Sequence, residues 1–504
     1  MMETSGLDIA ILNSLLISIS VAFLSGGLAI PLSWLICRSN LRGRSFFEQA
    51  FTLPYSLPGY LLAMAWITLG NPQVGWLRNW LPSSGVYGPF GIIFVETTIA
   101  LAFPLMELCN GFRRLDPALE ESARMSGAHS IQVFWRISAP LLRPAWINGM
   151  LLAFLYALSS FGVPAILGLP ARYPVLTTWI FTQFRLGGSI GLQTGLILSL
   201  GMIAFSFVSL QLIQRTLRNR YALTGGKSSR TSITPLPRWI GSTLPIGLGS
   251  LLLLVLFLPW ISLGVTALAP HSGSMSPAEW TLRNLSDLLT LPDFQSGLLH
   301  SLLLAVTTSL AITVGGFAIT FTEKKAQTPF WKFWAWLKGQ ILFSLFSAPG
   351  SAIAILWILL GGMALGSMAF NPWIALTAAY LMKYSALGVR AFSEGLHQIA
   401  PVLDEAARIS GASLPERILR LWVPLLKTSF AAAFAWSFFP IFTELTMSIL
   451  LTGPGVETLG TVLFQLQEYA DQQKASALAW MLLSFSLVFA AYRSHQLTPA
   501  KGNP

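Results

Sequence analysis

Long apolar runs alternate with short polar segments along this chain, and the runs set its architecture. Stretches of the length that crosses a hydrocarbon core, about 17–25 residues, fall near 9–36, 51–70, 89–112, 145–168, 192–214, 240–268, 297–321, 340–361, 371–392, 429–452 and 475–492. These eleven runs predict an all-α polytopic membrane protein, because in lipid each backbone polar group has to be bonded within its own helix. The runs are apolar on all sides, so their pattern does not tell which face of a span looks inward.

One polar segment occurs twice. Leu115–Pro144, LDPALEESARMSGAHSIQVFWRISAPLLRP, returns 284 positions later as Ile399–Thr428, IAPVLDEAARISGASLPERILRLWVPLLKT. Pro117, Glu121, Ala123, Arg124, Gly127, Arg136 and Pro140 thus recur as Pro401, Glu405, Ala407, Arg408, Gly411, Arg420 and Pro424, without a gap. Each copy reads as a short helix, a glycine break and a second helix. Pro117 and Pro401 suit the first turn, Asp116 can cap it, and Gly127 and Gly411 stand where a residue with positive φ ends a helix. The second copy restarts at Ser413-Leu-Pro-Glu416, a capping-box pattern. Glu120 with Arg124, and Asp404 with Arg408, stand at i,i+4 and are expected to pair, which leaves Glu121 and Glu405 without a local partner.

The repeat extends past these islands. LNSLLISISVAF at 12–23 is similar to LHSLLLAVTTSL at 299–310, and Pro58-Gly59 with Trp66 matches Pro349-Gly350 with Trp357. Two parallel units of five spans follow, at 1–214 and 297–492, joined by a Gly/Ser/Thr/Pro-rich linker at 215–239 and a connector at 240–296, with a polar tail at 493–504. A parallel repeat with an odd number of spans needs such a connector span to restore orientation.

Composition agrees with the membrane reading: 54% of residues are apolar and 10% charged, against roughly a quarter charged in soluble chains. The net charge of +11 has a topological cause rather than a nucleic-acid one. If both islands face the cytoplasm, 25 of the 31 Lys and Arg residues share their side; the others are Arg78, Arg172, Arg185, Arg283 and Lys474 opposite, and Lys383 within a span. The asymmetry predicts an outside N-terminus and a cytoplasmic C-terminus. Cys37 and Cys109 are the only cysteines and are expected to be reduced and unpaired. The opening MMETSGLDIA lacks a basic region, so the first run is expected to stay as a span.

Little catalytic chemistry is visible. Gly225-Gly226-Lys227-Ser228 lacks the earlier glycine of a phosphate loop, which would fall at Tyr221, and reads as linker. The histidines at 129, 271, 300, 397 and 495 have no metal-ligand spacing, so neither a catalytic site nor a bound cofactor is expected. Acidic residues inside spans are functional candidates. Glu444, in FPIFTELTMSILL, stands where the first unit has Ser160, and these two are candidates for a substrate path; the alternative for Glu444 is a structural carboxyl. Glu96, Glu107 and Lys383 are expected to be structural, and the many Phe and Trp to pack or face lipid.

The two islands resemble the signature cytoplasmic loop of ABC importer permeases, with the pattern E-A-A, three residues, G, and a later proline. Here it reads Glu121-Ser122-Ala123, Gly127 and Pro140, then Glu405-Ala406-Ala407, Gly411 and Pro424. The resemblance implies a type I permease fold in the bacterial inner membrane, with coupling loops at 113–144 and 393–428 seated on a cytoplasmic ATPase homodimer. It also implies a periplasmic substrate-binding protein, and ATP bound by the partner subunits rather than by this chain. Fusion of two units, with the stretches 159–181 and 443–464, is most similar to the ferric-iron importers, then to those for thiamine and 2-aminoethylphosphonate. An ion-coupled secondary transporter would instead need a set of intramembrane carboxylates and no docking loop.

Overall fold

The computed structural model describes residues 2–186, 189–218, 233–274, 276–325, 328–397, 399, 401–453, 455–469 and 471–497. Gly225 to Ser228, most of the 215–239 linker and the tail beyond 497 lie outside the described residues. The described residues are helix and turn, with a single isolated bridge between Ser39 and Thr234.

Each predicted apolar run contains helix, but apolar length and helical length differ. Among the described residues, six helices are long and apolar enough to span: Gly6–Arg38, Pro89–Arg114, Ser130–Ser159, Arg238–Leu268, Pro292–Thr322 and Gly350–Phe370. Leu414–Leu425 with Lys427–Phe442 makes a seventh if a 71° bend is counted inside one span. Three further runs, 192–214, 371–392 and 475–492, fall on the helices Ser189–Arg218, Pro372–His397 and Gln472–Leu497, while others are interrupted, and proline marks several of the breaks. Pro58 precedes the Gly59–Gly70 helix, and Pro349 separates Pro329–Ser347 from Gly350–Leu365. Proline lacks an N–H and pushes the residue before it out of helical geometry, so an apolar stretch can continue where the helix cannot.

Many hydroxyl side chains inside the helices are bonded locally. Ser18 donates to the Ser14 carbonyl at 2.7 Å, Thr313 to that of Ser309 at 2.7 Å and Ser437 to that of Ala433 at 2.8 Å. Such bonds one turn back remove the penalty of an unsatisfied group in an apolar medium.

The chain forms two compact units. One comprises 1–183, 208–288 and 466–504; the other comprises 184–207 and 289–465. In the first, Met2–Arg38 packs on Ala102–Arg114 and Ala139–Ser159. In the second, Pro292–Lys325 packs in the same way on Pro372–His397 and Lys427–Phe442. The first unit also holds the connector helix Leu258–Leu268 against Gly59–Gly70 and Gln472–Leu497. The Thr68 and Ser262 hydroxyls meet at 2.5 Å, and Trp260 Nε1 donates to Ser484 Oγ at 3.0 Å.

The sequence repeat is also an atomic one. Ser14 Oγ accepts the Leu176 N–H at 2.7 Å, and Ser301 Oγ accepts the Leu459 N–H at 2.8 Å. Asn13 Nδ2 donates to the Pro174 carbonyl at 2.8 Å, and His300 Nδ1 lies 3.0 Å from the Glu457 carbonyl. Each interaction ties the opening helix of a unit to the start of a later helix, Leu176–Leu186 or Leu459–Glu468, or to the residues just before it.

Gly388 shows how closely the second unit packs. A Cβ there would lie 2.6 Å from the Ile312 carbonyl oxygen, and one on Gly316 would lie 2.7 Å from the Gly388 carbonyl carbon. Small residues permit this approach of two helix backbones. Gly388→Leu is expected to lower stability by about 1–3 kcal/mol through overpacking. A thermal unfolding midpoint in detergent equal to that of the wild type would refute this contact.

Candidate coupling site

The two islands fold as helix, glycine turn and helix. In the first, the Asp116 carboxylate accepts the Ala118 N–H at 3.0 Å and caps Pro117–Met125, with Pro117 in the first turn. The helix ends at Gly127, φ +87°, where the Gly127 N–H bonds the Arg124 carbonyl at 2.9 Å and the Ala128 N–H bonds the Ala123 carbonyl at 3.1 Å. In the second island Pro401–Ile409 ends at Gly411, φ +77°, with the same bonds from Gly411 to Arg408 and from Ala412 to Ala407, both 3.1 Å. These paired bonds are a Schellman motif, which needs a left-handed residue that glycine supplies without a Cβ clash.

The second helices begin on similar caps. Gln132 Oε1 accepts the His129 N–H at 3.1 Å. Glu416 accepts both the Ser413 N–H, at 2.9 Å, and the Ser413 hydroxyl, at 2.8 Å. That N–H first, and the hydroxyl after it, hold the Glu416 carboxyl below its ordinary range. Both helices then open into a π turn, Phe134–Ser138 and Ile418–Trp422, two residues before Pro140 and Pro424. A wider turn frees the carbonyl that a proline ring would otherwise strike. Beyond it the copies differ: Ser130–Ser159 runs through as one helix, whereas the second bends by 71° at Leu426.

The expected pairs Glu120 with Arg124 and Asp404 with Arg408 do not form. Glu120 instead points inward, where Arg38 Nε lies 3.0 Å from Oε2 and Ser138 Oγ donates to Oε1 at 2.7 Å. Both side chains of this ion pair are 2–3% exposed. Arg38 also donates to the Phe112 carbonyl at 3.1 Å and stands over the Phe112 ring. Arg124 donates to the Thr234 hydroxyl at 2.9 Å, which ties the end of the linker to the loop. Asp404 is bonded by Arg417 Nε and Trp422 Nε1, both at 3.1 Å, and Arg408 is exposed. A buried or half-buried guanidinium and a donor from the π turn offer more than a solvated i,i+4 neighbour, whose contribution is small.

A common plan underlies these contacts. Glu120 and Asp404 are repeat equivalents, and so are their donors Ser138 and Trp422. Each first helix is therefore anchored to the π turn of its second helix by the acid that precedes the motif glutamate. Sequence reasoning missed Arg38 and the two donors, since Ser138 and Trp422 share no residue type. Glu121 and Glu405, one position on, are exposed and have no bonding partner among the described residues. Ala123 and Ala407 supply the carbonyls of the glycine turns.

The path candidates lie at matched helix breaks. Ala139–Ser159 stops at Ser160, whose carbonyl accepts the Thr177 hydroxyl at 2.7 Å. Lys427–Phe442 stops at Thr443. The following Glu444 is 7% exposed, and its carboxylate accepts the N–H groups of Met447 and Ser448, both at 2.9 Å, and the Ser448 hydroxyl at 3.1 Å. Its oxygens are thus held by the turn they belong to. Tyr380 Oη joins the cluster, 2.8 Å from Ser448 Oγ. The first unit reverses the arrangement: Glu96 occupies the position of Tyr380 and is fully buried, and Ser160 occupies that of Glu444. Lys383 Nζ donates to the Ala348 carbonyl at 2.6 Å, serving the helix end freed by Pro349. Among the described residues no group of three or more His, Cys, Asp or Glu side chains could hold a metal ion. Cys37 and Cys109 are free thiols, with Cys37 Sγ 4.0 Å from the Cys109 carbonyl oxygen.

Comparison with known proteins bears on this geometry. The family described as binding-protein-dependent transport system inner membrane component matches residues 29–219 and 335–496, one segment per repeat. The Fe(3+)-transport system permease protein FbpB 2 of Haemophilus influenzae is 23% identical over 479 residues, 94% of this chain and 87% of that one. A probable ABC transporter permease protein, y4fN of Sinorhizobium fredii, is 26% identical over 88% of this chain and 80% of its own. A probable sulfate transport system permease protein, cysT of Prototheca wickerhamii, is 32% identical over 26% of this chain and 52% of its own. Twofold matching of one family, at the segments that carry the twin loops, places the whole architecture: the chain belongs to the binding-protein-dependent transport system inner membrane components, as a fused two-unit ABC permease.

Proposed function

We propose that this permease imports ferric iron, taking it from a periplasmic binding protein and using ATP hydrolysed by a cytoplasmic ATPase homodimer seated on the two loops. The observation that carries the coupling role is the pairing of opposite exposures at adjacent positions. Glu120 and Asp404 anchor each loop, while Glu121 and Glu405 offer an unengaged carboxylate on its surface. A loop held rigidly from within can pass the closure of a docked ATPase to the helices continuous with it as a rigid-body motion. Arg124, Arg408, Gly127, Gly411, Pro140 and Pro424 keep that geometry, through the linker tie, the Schellman turns and the π turns. The loops and the C-terminus then face the cytoplasm and the N-terminus the periplasm, in accord with the basic asymmetry. The substrate path follows the matched helix breaks at Ser160 and Glu444, where backbone groups leave the helical ladder.

The iron assignment rests on the long relatives that carry that name, FbpB 2 above all. Sulfate permeases match shorter stretches and support an oxyanion as the second reading, ahead of thiamine and 2-aminoethylphosphonate. The test is uptake in proteoliposomes holding this chain, its ATPase and its binding protein. Glu121→Lys with Glu405→Lys is expected to cut ATPase retention and radiolabelled ferric uptake at least tenfold, with an unfolding midpoint unchanged because surface substitutions rarely exceed about 0.5 kcal/mol. Full ATPase retention in that variant refutes the docking role. Uptake of sulfate but not ferric ion by the wild type refutes the iron assignment alone.

A further inference from the structure

The two units also differ in side-chain packing at a place where the repeat predicts equivalence. In the second unit three rings fill the space between the opening helix, the helix before the loop and the helix after it. Phe317, Phe392 and Phe430 make a closed triangle, with ring centres 5.5, 5.3 and 4.7 Å apart. Their equivalents in the first unit are Ile30, Leu108 and Trp146. The two aliphatic side chains do not replace the rings, and Trp146 is turned to donate from Nε1 to the Gly26 carbonyl at 3.0 Å. What remains is a cavity of about 510 Å³, lined by these three residues together with Phe134, Trp135 and Arg143.

We infer that this cavity takes an acyl chain of an anionic phospholipid from the membrane leaflet on the loop side. Its volume lies in the range of small-molecule sites and its walls are apolar. Without phenylalanines at the three equivalent positions, its walls lack the mutual packing that the second unit obtains from its rings. The rim has the two groups that mark a membrane–water boundary. Trp135 is 63% exposed, as an amphipathic interfacial aromatic would be, and Arg143 is an exposed cation positioned to meet a phosphate. The cavity also begins at the π turn Phe134–Ser138, so its occupant touches the helix that leaves the first coupling loop. This assignment rests on the proposed membrane orientation for the choice of leaflet, and not on the ATPase docking surface.

Native mass spectrometry of the purified chain with palmitoyl-oleoyl phosphatidylglycerol or the matching phosphatidylcholine tests it. The wild type should retain one tightly held phosphatidylglycerol. Leu108→Phe, which copies the second unit, should retain less of that molecule, and Ile30→Phe with Leu108→Phe should lose it. Arg143→Gln should keep a lipid while its preference for the anionic headgroup falls about fivefold. No retained lipid on the wild type, which needs no variant, overturns the inference, as does equal retention by wild type and Leu108→Phe. An unchanged headgroup preference in Arg143→Gln removes the anionic assignment. ATPase co-purification in the same samples separates the readings: its loss with lipid retained strikes only the coupling proposal.

Discussion

Uptake by a chain carrying Gly127→Pro and Gly411→Pro is expected to fall to the level of membranes without the permease, while insertion and the fold of the spans stay intact. The reason lies in two backbone angles. Gly127 and Gly411 have φ of +87° and +77°, and the N–H of each bonds a carbonyl of the preceding helix. Proline fixes φ near −65° and carries no N–H, so each substitution removes one bond of the Schellman pair and forbids the turn. A Cβ itself would meet nothing within 4 Å at either glycine, so the defect comes from conformation rather than from crowding. Forcing a residue from a required left-handed geometry costs on the order of 1–3 kcal/mol, enough to release a nine-residue helix such as Pro117–Met125 from its second helix. The checks are ATP-driven uptake, ATPase co-purification and the protease pattern of the spans. Normal uptake by the double variant would remove both loops from the coupling mechanism.

Glu120→Leu is expected to destabilise the first unit by about 3–5 kcal/mol, because it leaves the Arg38 guanidinium buried without a counter-charge. The Phe112 carbonyl and ring remain against Arg38 but do not neutralise it. Arg38→Met combined with Glu120→Leu is expected to recover most of that loss, since replacing both partners removes the desolvation cost along with the attraction. The equivalent change in the other loop, Asp404→Leu, should cost less, about 1.5–3 kcal/mol. Its partner Arg417 is 11% exposed and its own carboxylate 23%, so water can reach both groups. Unfolding of the purified protein in a detergent series measures all three variants. Equal losses for Glu120→Leu and the double variant would show that shape, not charge, holds the loop.

Much of the functional face could be read along the chain. The caps, the positive-φ glycines and the proline-linked turns are local devices. Each depends on residues within about five positions, so residue type and spacing suffice to place them. The i,i+4 pairs were misread for the opposite reason. Spacing makes Arg124 available to Glu120, but it cannot show that Arg38, 82 positions earlier, arrives in the same buried layer with a stronger claim. The spans behaved similarly: apolar length was visible, whereas the interruptions at Pro58, Pro349, Ser160 and Thr443 shortened the helices inside several runs.

By itself the sequence determined the membrane class, the twofold repeat, the positions of the two loops and the conformation of their glycine turns, since hydrophobic length, gapless recurrence and local capping chemistry are all short-range properties. Only the tertiary structure decided which acid anchors each loop, that Glu121 and Glu405 stay on the surface, and that Glu444 spends its oxygens on its own turn. It alone showed that Ile30, Leu108 and Trp146 leave open what Phe317, Phe392 and Phe430 close. Partner choice for a buried charge, and the filling of space between helices, depend on side chains brought together from distant parts of the chain. No spacing along a single helix carries that information.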